Sequence, residues 1–267
     1  MRRQDADRVE ICGRYAEVAS RGFSGAFTAS PNEKYVVAWS QETHDYVLSR
    51  DYRVLASREL NCPSLGRVTD RGIHMLCSKA LGDPQSSFLH SFSEDGSLRA
   101  TLKLSYIPVE AAISEDGALG VVQLATGRFV LADFVGVRIL WDRVLPSSFR
   151  RFMRATSLRI DLTHASIVAS FDTSEELELG MSGEFPSKEA VDHITEQHAD
   201  RDRSGSLLLG LCREIVSRPG FPKSPAEAGH VAMLAKKAIS KGLAGDSIQL
   251  SEAERILSVA RLALTGP

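Results

Sequence analysis

Two stretches of the chain share one pattern of polar and apolar positions. "SPNEKYVVAW" runs from Ser30 and "SEDGALGVVQ" from Ser114, each a polar turn leading into a β-branched apolar run. Laid through the chain, the pattern gives four copies with turn anchors at Ser30, Asp70, Ser114 and Asp161, spaced by 40, 44 and 47 residues. After each anchor comes an apolar strand: "YVVAW", "IHMLC", "LGVVQL" and "SIVASF". Before each comes a short one: "GAFTA", "GRVT", "VEAAI" and "SLRI".

The second half of the unit recurs as well. "YVLSRD", "FLHSFSED", "FVLADFVG" and "LELGMSG" each place an apolar strand before a turn. "RVLASREL", "SLRATLKL" and "VRILWDRVL" follow in the first three copies. The fourth copy lacks such a closing strand, and residues 15–21, "YAEVASR", are expected to supply it. Four strands every 40 to 47 residues are the spacing of a propeller blade, a sheet that cannot bury both faces without neighbours. The predicted fold is mainly β, a small propeller of about four four-stranded antiparallel blades, closed or incomplete, with a C-terminal helical region. An antiparallel sandwich with the same strand spacing stays open as an alternative.

"SPNEKYVVAWS", "SEDGSLRATL" and "SEDGALGVVQL" resemble the turn-and-strand signature of WD40-like and TolB-like β-propeller repeats. The resemblance covers roughly residues 15–185 and implies a ring of blades whose loops bind partners. The repeat region departs from the WD40 pattern in lacking Gly-His pairs, and the chain's one Trp-Asp, Trp141–Asp142, falls in a predicted fourth strand.

The periodicity changes after about residue 185, dividing the chain into a sheet domain, 1–185, and a helical extension, 186–267. Four helices are expected: "KEAVDHITEQHA"; "SLLLGLCREIVS"; one opened by Ser224-Pro225-Ala226-Glu227; and one opened by Ser251 with Glu254. The last two carry the serine-to-glutamate spacing of a capping box. Val231, Leu234, Ala238 and Ile239 form one apolar stripe, and Ile256, Leu257, Ala260 and Leu264 another. These stripes are expected to bury within the chain.

Composition narrows the function classes. Thirty-two Lys plus Arg against 34 Asp plus Glu leave a formal charge of -2, so no global field draws nucleic acid or an anionic membrane. The charged opening "MRRQDADRVE" lacks the apolar core of a secretion signal. Cys12, Cys62, Cys77 and Cys212 form no C-x-x-C pair and read as reduced thiols of a cytoplasmic protein.

Candidate chemistry is sparse. Asp200, Asp202 and Ser204 match three positions of a degenerate calcium loop whose last position is Leu211, where calcium needs a glutamate. His44, His74, His90 and His164 sit at inequivalent positions of the repeat. The sharper feature is Arg143 to Arg159, "RVLPSSFRRFMRATSLR", five arginines without an acid. Arg150, Arg151 and Arg154, with Phe149 and Phe152, are the binding candidates, since arginines beside aromatic residues grip acidic surfaces. The reading expects a non-catalytic scaffold or adaptor that binds another protein, with no cofactor, no membrane and no nucleic acid. Its alternatives are a propeller hydrolase with an axial metal, and an anion or nucleic-acid binder using the basic tract.

Overall fold

The strands form where the apolar runs fall. A computed structural model describes residues 7–144, 154–171, 176–184, 196, 205–241, 243 and 247–264. The chain divides into two compact units, one holding the sheets (including residues 7–143, 154–169 and 178–184) and one holding the helices.

The first sheet has six strands in chain order: β1 (Glu10–Cys12), β2 (Tyr15–Val18), β3 (Phe23–Ala29), β4 (Tyr35–Ser40), β5 (Asp45–Arg50) and β6 (Arg53–Glu59). The second comprises β7 (Pro63–Val68), β8 (His74–Ala80), β9 (Asp83–Phe92) and β10 (Leu98–Leu104). The third comprises β11 (Pro108–Ile113), β12 (Leu119–Leu124), β13 (Arg128–Asp133) and β14 (Arg138–Val144), and the fourth β15 (Ser157–Asp161), β16 (Ser166–Ser170) and β17 (Glu176–Gly180). The repeat therefore folds as four separate antiparallel sheets, not as two facing layers. None of the four closes into a barrel.

The recurrent turn has a recurrent bond pattern. The backbone N–H of Tyr35 donates to Ser30 Oγ at 3.1 Å, and that of Lys34 to Asn32 Oδ1 at 3.0 Å. In the third sheet, Leu119 N donates to Ser114 Oγ at 2.9 Å and Ala118 N to Asp116 Oδ1 at 3.0 Å. A serine at the turn's first position, with Asn or Asp two residues on, satisfies donors that the tight turn leaves unpaired. In the second copy this anchor is Thr69, whose N–H donates to the Ile73 carbonyl. Asp70, the expected anchor, instead accepts the Asn32 N–H from the first sheet at 2.8 Å.

Consecutive sheets bury their faces on one another. Tyr35, Val37, Trp39, Tyr46 and Leu48 of the first sheet form one core with Val68, Leu76 and Phe92 of the second. Met75, Cys77 and Leu89 point the other way, into a core with Ala111, Val122, Val130 and Ala132 of the third sheet. Strand β8 is thus buried on both faces, which explains why "IHMLC" is a continuous apolar run rather than an alternating one. Strand β7 lies against β4 and β11, and β11 against β15.

The N-terminus corrects the sequence reading. Residues 15–18 pair with β3, Tyr15 opposite Ala26 and Val18 opposite Phe23, and do not close the fourth sheet, whose three strands are β15, β16 and β17. A short 3-10 turn and Gly22, at φ 61°, reverse the chain between β2 and β3. Pairing with the adjacent strand closes a loop of a few residues, whereas reaching the fourth sheet would close one of well over a hundred. Val9, Ala16, Val18 and Phe23 then cover Ala38 and Val47 on the first sheet's second face. Residues ahead of β1 reach β6 through an Arg8–Arg53 bridge.

The described helices are α1 (Gly205–Val216), α2 (Pro225–Ser240) and α3 (Ser247–Leu264); "KEAVDHITEQHA" lies outside the described residues apart from Glu196, which is helical. Ser224 Oγ caps α2 by accepting the Glu227 N–H at 3.2 Å. Helix α3 begins at Ser247 and not at Ser251, which lies within it. Leu250, ahead of the expected start, packs onto the helical core, and this burial extends the helix by a turn. Leu208, Leu211 and Ile215 of α1 meet Val231, Leu234 and Ala238 of α2 and Ile256, Leu257 and Ala260 of α3. Leu264, assigned to the stripe, is exposed. Among the described residues no helix is long and apolar enough to cross a membrane.

Candidate binding surface

Each sheet has an outer edge strand, and an open edge invites another strand to pair with it. Most of these edges are blunted. β6 carries Arg53, Arg58 and Glu59, and the segment ahead of β1 pairs with its start through Val9 N to the Tyr52 carbonyl at 2.8 Å. β10 alternates buried Ala100, Leu102 and Leu104 with Arg99, Thr101 and Lys103. β17 turns Glu176 and Glu178 outward.

β14 differs. It ends the order of the third sheet, and its consecutive residues Ile139 and Leu140 are 40% and 41% exposed. The turn ahead of it adds Val135 and Val137, 72% and 49% exposed. The turn and the first half of β14 thus show four accessible aliphatic side chains, while the strand's charged residues are tied within the chain, Arg138 to Asp133, Asp142 to Arg128 and Arg143 to the Gly183 carbonyl, instead of standing free to guard the edge.

The strand is held firmly from two sides. The Arg128 guanidinium on β13 makes a two-bond fork with Asp142, Nε to Oδ1 at 2.9 Å and Nη2 to Oδ2 at 2.8 Å. That hydrogen-bonded carboxylate raises the Arg128 pKa further above its ordinary value. Trp141, on the opposite side of the strand, is buried and donates Nε1–H to the Met181 carbonyl at 2.8 Å. Arg143 Nε donates to the Gly183 carbonyl at 3.2 Å. Gly183, at φ 83°, has no room for a side chain: a Cβ there would lie 2.9 Å from Trp141 Cγ. Fixing β14 in advance lowers the entropy cost of adding a strand to it.

Of the predicted binding residues, Phe149, Arg150, Arg151 and Phe152 lie outside the described residues. Arg154 donates Nη2–H to the Val109 carbonyl of β11 at 2.6 Å. Among the described residues, neither Arg143, Arg154 nor Arg159 pairs with Glu176, Glu178 or Glu184; Arg159 instead bonds Asp161 at 3.2 Å. Asp200, Asp202 and Ser204 also lie outside the described residues. Helix α1 begins at Gly205, the sixth position of the candidate calcium loop, and buries Leu208, Leu209 and Leu211. The second half of that candidate loop is therefore helical.

The histidines remain apart. His44 Nδ1 faces the Cys62 N–H, His90 sits between Ser78 Oγ and Thr101 Oγ1, and His164 pairs with Asp161. Among the described residues no three His, Cys, Asp or Glu side chains are placed to share a metal. All four cysteines are free; burial pushes the thiols of Cys77 and Cys212 up to about 12, which leaves them unreactive at neutral pH.

The exposed edge was missed in the sequence because "VRILWDRVL" reads as an ordinary apolar strand. The available signal was the adjacent pair Ile139–Leu140: two neighbouring residues point to opposite faces of a strand, so one of them must leave a one-sided core.

A scan of protein-family models and a search of curated proteins find no match to this chain. Among solved structures it is similar to the computationally designed Ika8 protein, with 13% identity and a TM-score of 0.43. The matched region covers 63% of this chain and spans 56% of the designed protein's length. A likeness of that size carries no argument about function.

Proposed function

We propose that the four sheets act as the blades of a short propeller-like scaffold that binds another protein by strand addition at β14. The observation that carries the reading is the unguarded edge at Val135, Val137, Ile139 and Leu140, held rigid by Arg128–Asp142 and by Trp141. An extended segment of the partner would pair with the open backbone of β14, while its side chains cover Ile139 and Leu140. Arg138, whose side chain is 69% exposed, and the acid-free stretch from Arg143 to Arg159 favour a partner segment that mixes apolar and acidic residues.

The test is selection of peptides from a random display library on the intact chain, followed by affinity measurement on variants. Selected peptides should be apolar and acidic. Leu140→Lys should weaken their binding at least tenfold, whereas Leu98→Lys on the β10 edge should leave it unchanged. Equal effects of the two substitutions would refute docking at β14.

A further inference from the structure

Strand β14 reads Arg138-Ile139-Leu140-Trp141-Asp142-Arg143-Val144, with opposite charges placed symmetrically about Leu140. That symmetry suits one occupant of the edge in particular, a second copy of the same strand. When two identical strands pair antiparallel about a two-fold axis, a residue ahead of the centre faces the residue equally far beyond it. The axis stands perpendicular to the sheet and keeps every side chain on its own face, so one residue must face itself at the centre.

Centred on Leu140, the pairing sets Arg138 opposite Asp142 of the second copy at both ends, Ile139 opposite Trp141, and Leu140 opposite itself. Opposite charges directly across from one another stabilise a strand pair, and like charges work against it. Centring on Arg138 or on Asp142 sets a charge against its own copy. Centring on Ile139 or on Trp141 leaves Arg138, Asp142 and Arg143 each opposite an uncharged residue. Charge therefore selects the Leu140 register.

Both charged groups can serve it from where they stand. The Arg128 fork positions Asp142, whose side chain stays 27% exposed. That fork uses one acceptor site on each oxygen, and a carboxylate has about four in all, so a second guanidinium can be held beside the first. Arg138 meets Asp133 Oδ2 at 3.4 Å, and a guanidinium has donors to spare for another carboxylate. Leu140 and Ile139, exposed on successive positions of the strand, add apolar contact on the two faces.

We propose that in the free protein the β14 edge is taken by β14 of a second copy, in the Leu140-centred register, as a weak two-fold dimer that a partner segment displaces. The proposal rests on the reading that β14 accepts an added strand. A single strand pair buries less than the roughly 1,200 Å² of the smallest standard interfaces, so the dimer grows with concentration and the edge is open in dilute solution.

The experiment is site-directed cross-linking of the full chain in a Cys12→Ser background, because Cys12 is the exposed native thiol. Two-fold pairing brings the central position onto itself with Cβ atoms about 4.5–5.5 Å apart, within reach of the short bifunctional alkylator dibromobimane. Leu140→Cys should give a covalent dimer on a denaturing gel. Ile139→Cys, which faces Trp141 in this register, and Leu98→Cys on β10 should each cross-link at least fivefold more slowly. A peptide selected for β14 should suppress the Leu140→Cys product. Sedimentation equilibrium supplies the second measurement: the native chain should dimerise as its concentration rises, and Arg138→Glu, which opposes Asp142 twice, should weaken dimerisation at least tenfold. Equal cross-linking at Ile139→Cys, or undiminished dimerisation in Arg138→Glu, would overturn the register and with it the proposal. A chain that stays monomeric yet binds the peptide at β14 would overturn the dimer and leave strand addition standing, whereas loss of both would overturn both.

Discussion

His74 sits between the first and second sheets with its ring stacked on Phe92 at 5.1 Å and tilted against Tyr46 at 5.4 Å. Its Nδ1–H donates to the Gly72 carbonyl at 3.1 Å, which leaves Nε2 as a buried acceptor without a partner. Burial pushes its pKa down to about 4, and burial does the same to His90. In the unfolded chain both titrate near 6.5. Above that pH both states are neutral and nothing is lost. As pH falls from 6.5 towards 4, the unfolded chain takes up protons that the folded one refuses, so stability declines. The cost reaches roughly 3 kcal/mol per buried histidine. His74→Phe keeps the stacking and removes the titration, so its Tm should fall less than wild type between pH 6.5 and 4. An unchanged slope would contradict the buried neutral imidazole. At the same scale, Gly66→Ala puts a methyl group against Trp39 and Leu76 Cδ2, and chemical denaturation should show a loss of about 1–3 kcal/mol.

At the scale of elements, the strands were legible because their side chains follow burial. "GAFTA", "VEAAI" and "SLRI" fall within β3, β11 and β15, "GRVT" overlaps β7 up to Val68, and the runs after each turn become β4, β8, β12 and β16. The misplaced pieces share one cause. The similarity of "VASR" to "LASR" is local, whereas the partner of a strand is set by chain proximity and by which exposed face needs covering. Ala38 and Val47 needed a cover, and β2 with Phe23 supplies it. The turn role likewise moved from Asp70 to Thr69 because two neighbouring polar residues could each serve it. The open β14 edge was signalled only by the adjacent pair Ile139–Leu140, because their exposure depends on where the sheet ends. Two substitutions test these elements. Ser224→Ala should destabilise the helical unit by about 1 kcal/mol through loss of the α2 cap, measured by helical ellipticity against denaturant. Asp142→Asn should loosen β14 from β13, speeding amide exchange in both strands and leaving β8 unaffected.

For the whole molecule, mutual burial is the organising fact: β8 has no free face, so neither the first nor the third sheet can leave without exposing the second. Leu76→Ala, in the layer shared with the first sheet, should cost about 2–5 kcal/mol, and strands on both sides should lose protection together. Such a rigid stack leaves binding to its turns and edges, where side chains can change without disturbing the cores. The most direct test of the proposed scaffold is hydrogen–deuterium exchange on the intact chain with and without a selected apolar-acidic peptide. Strand addition predicts slowed exchange within Arg138–Val144, with β6, β10 and β17 unchanged. Protection at another edge or on the helices, with β14 exchanging as in the free chain, would contradict it.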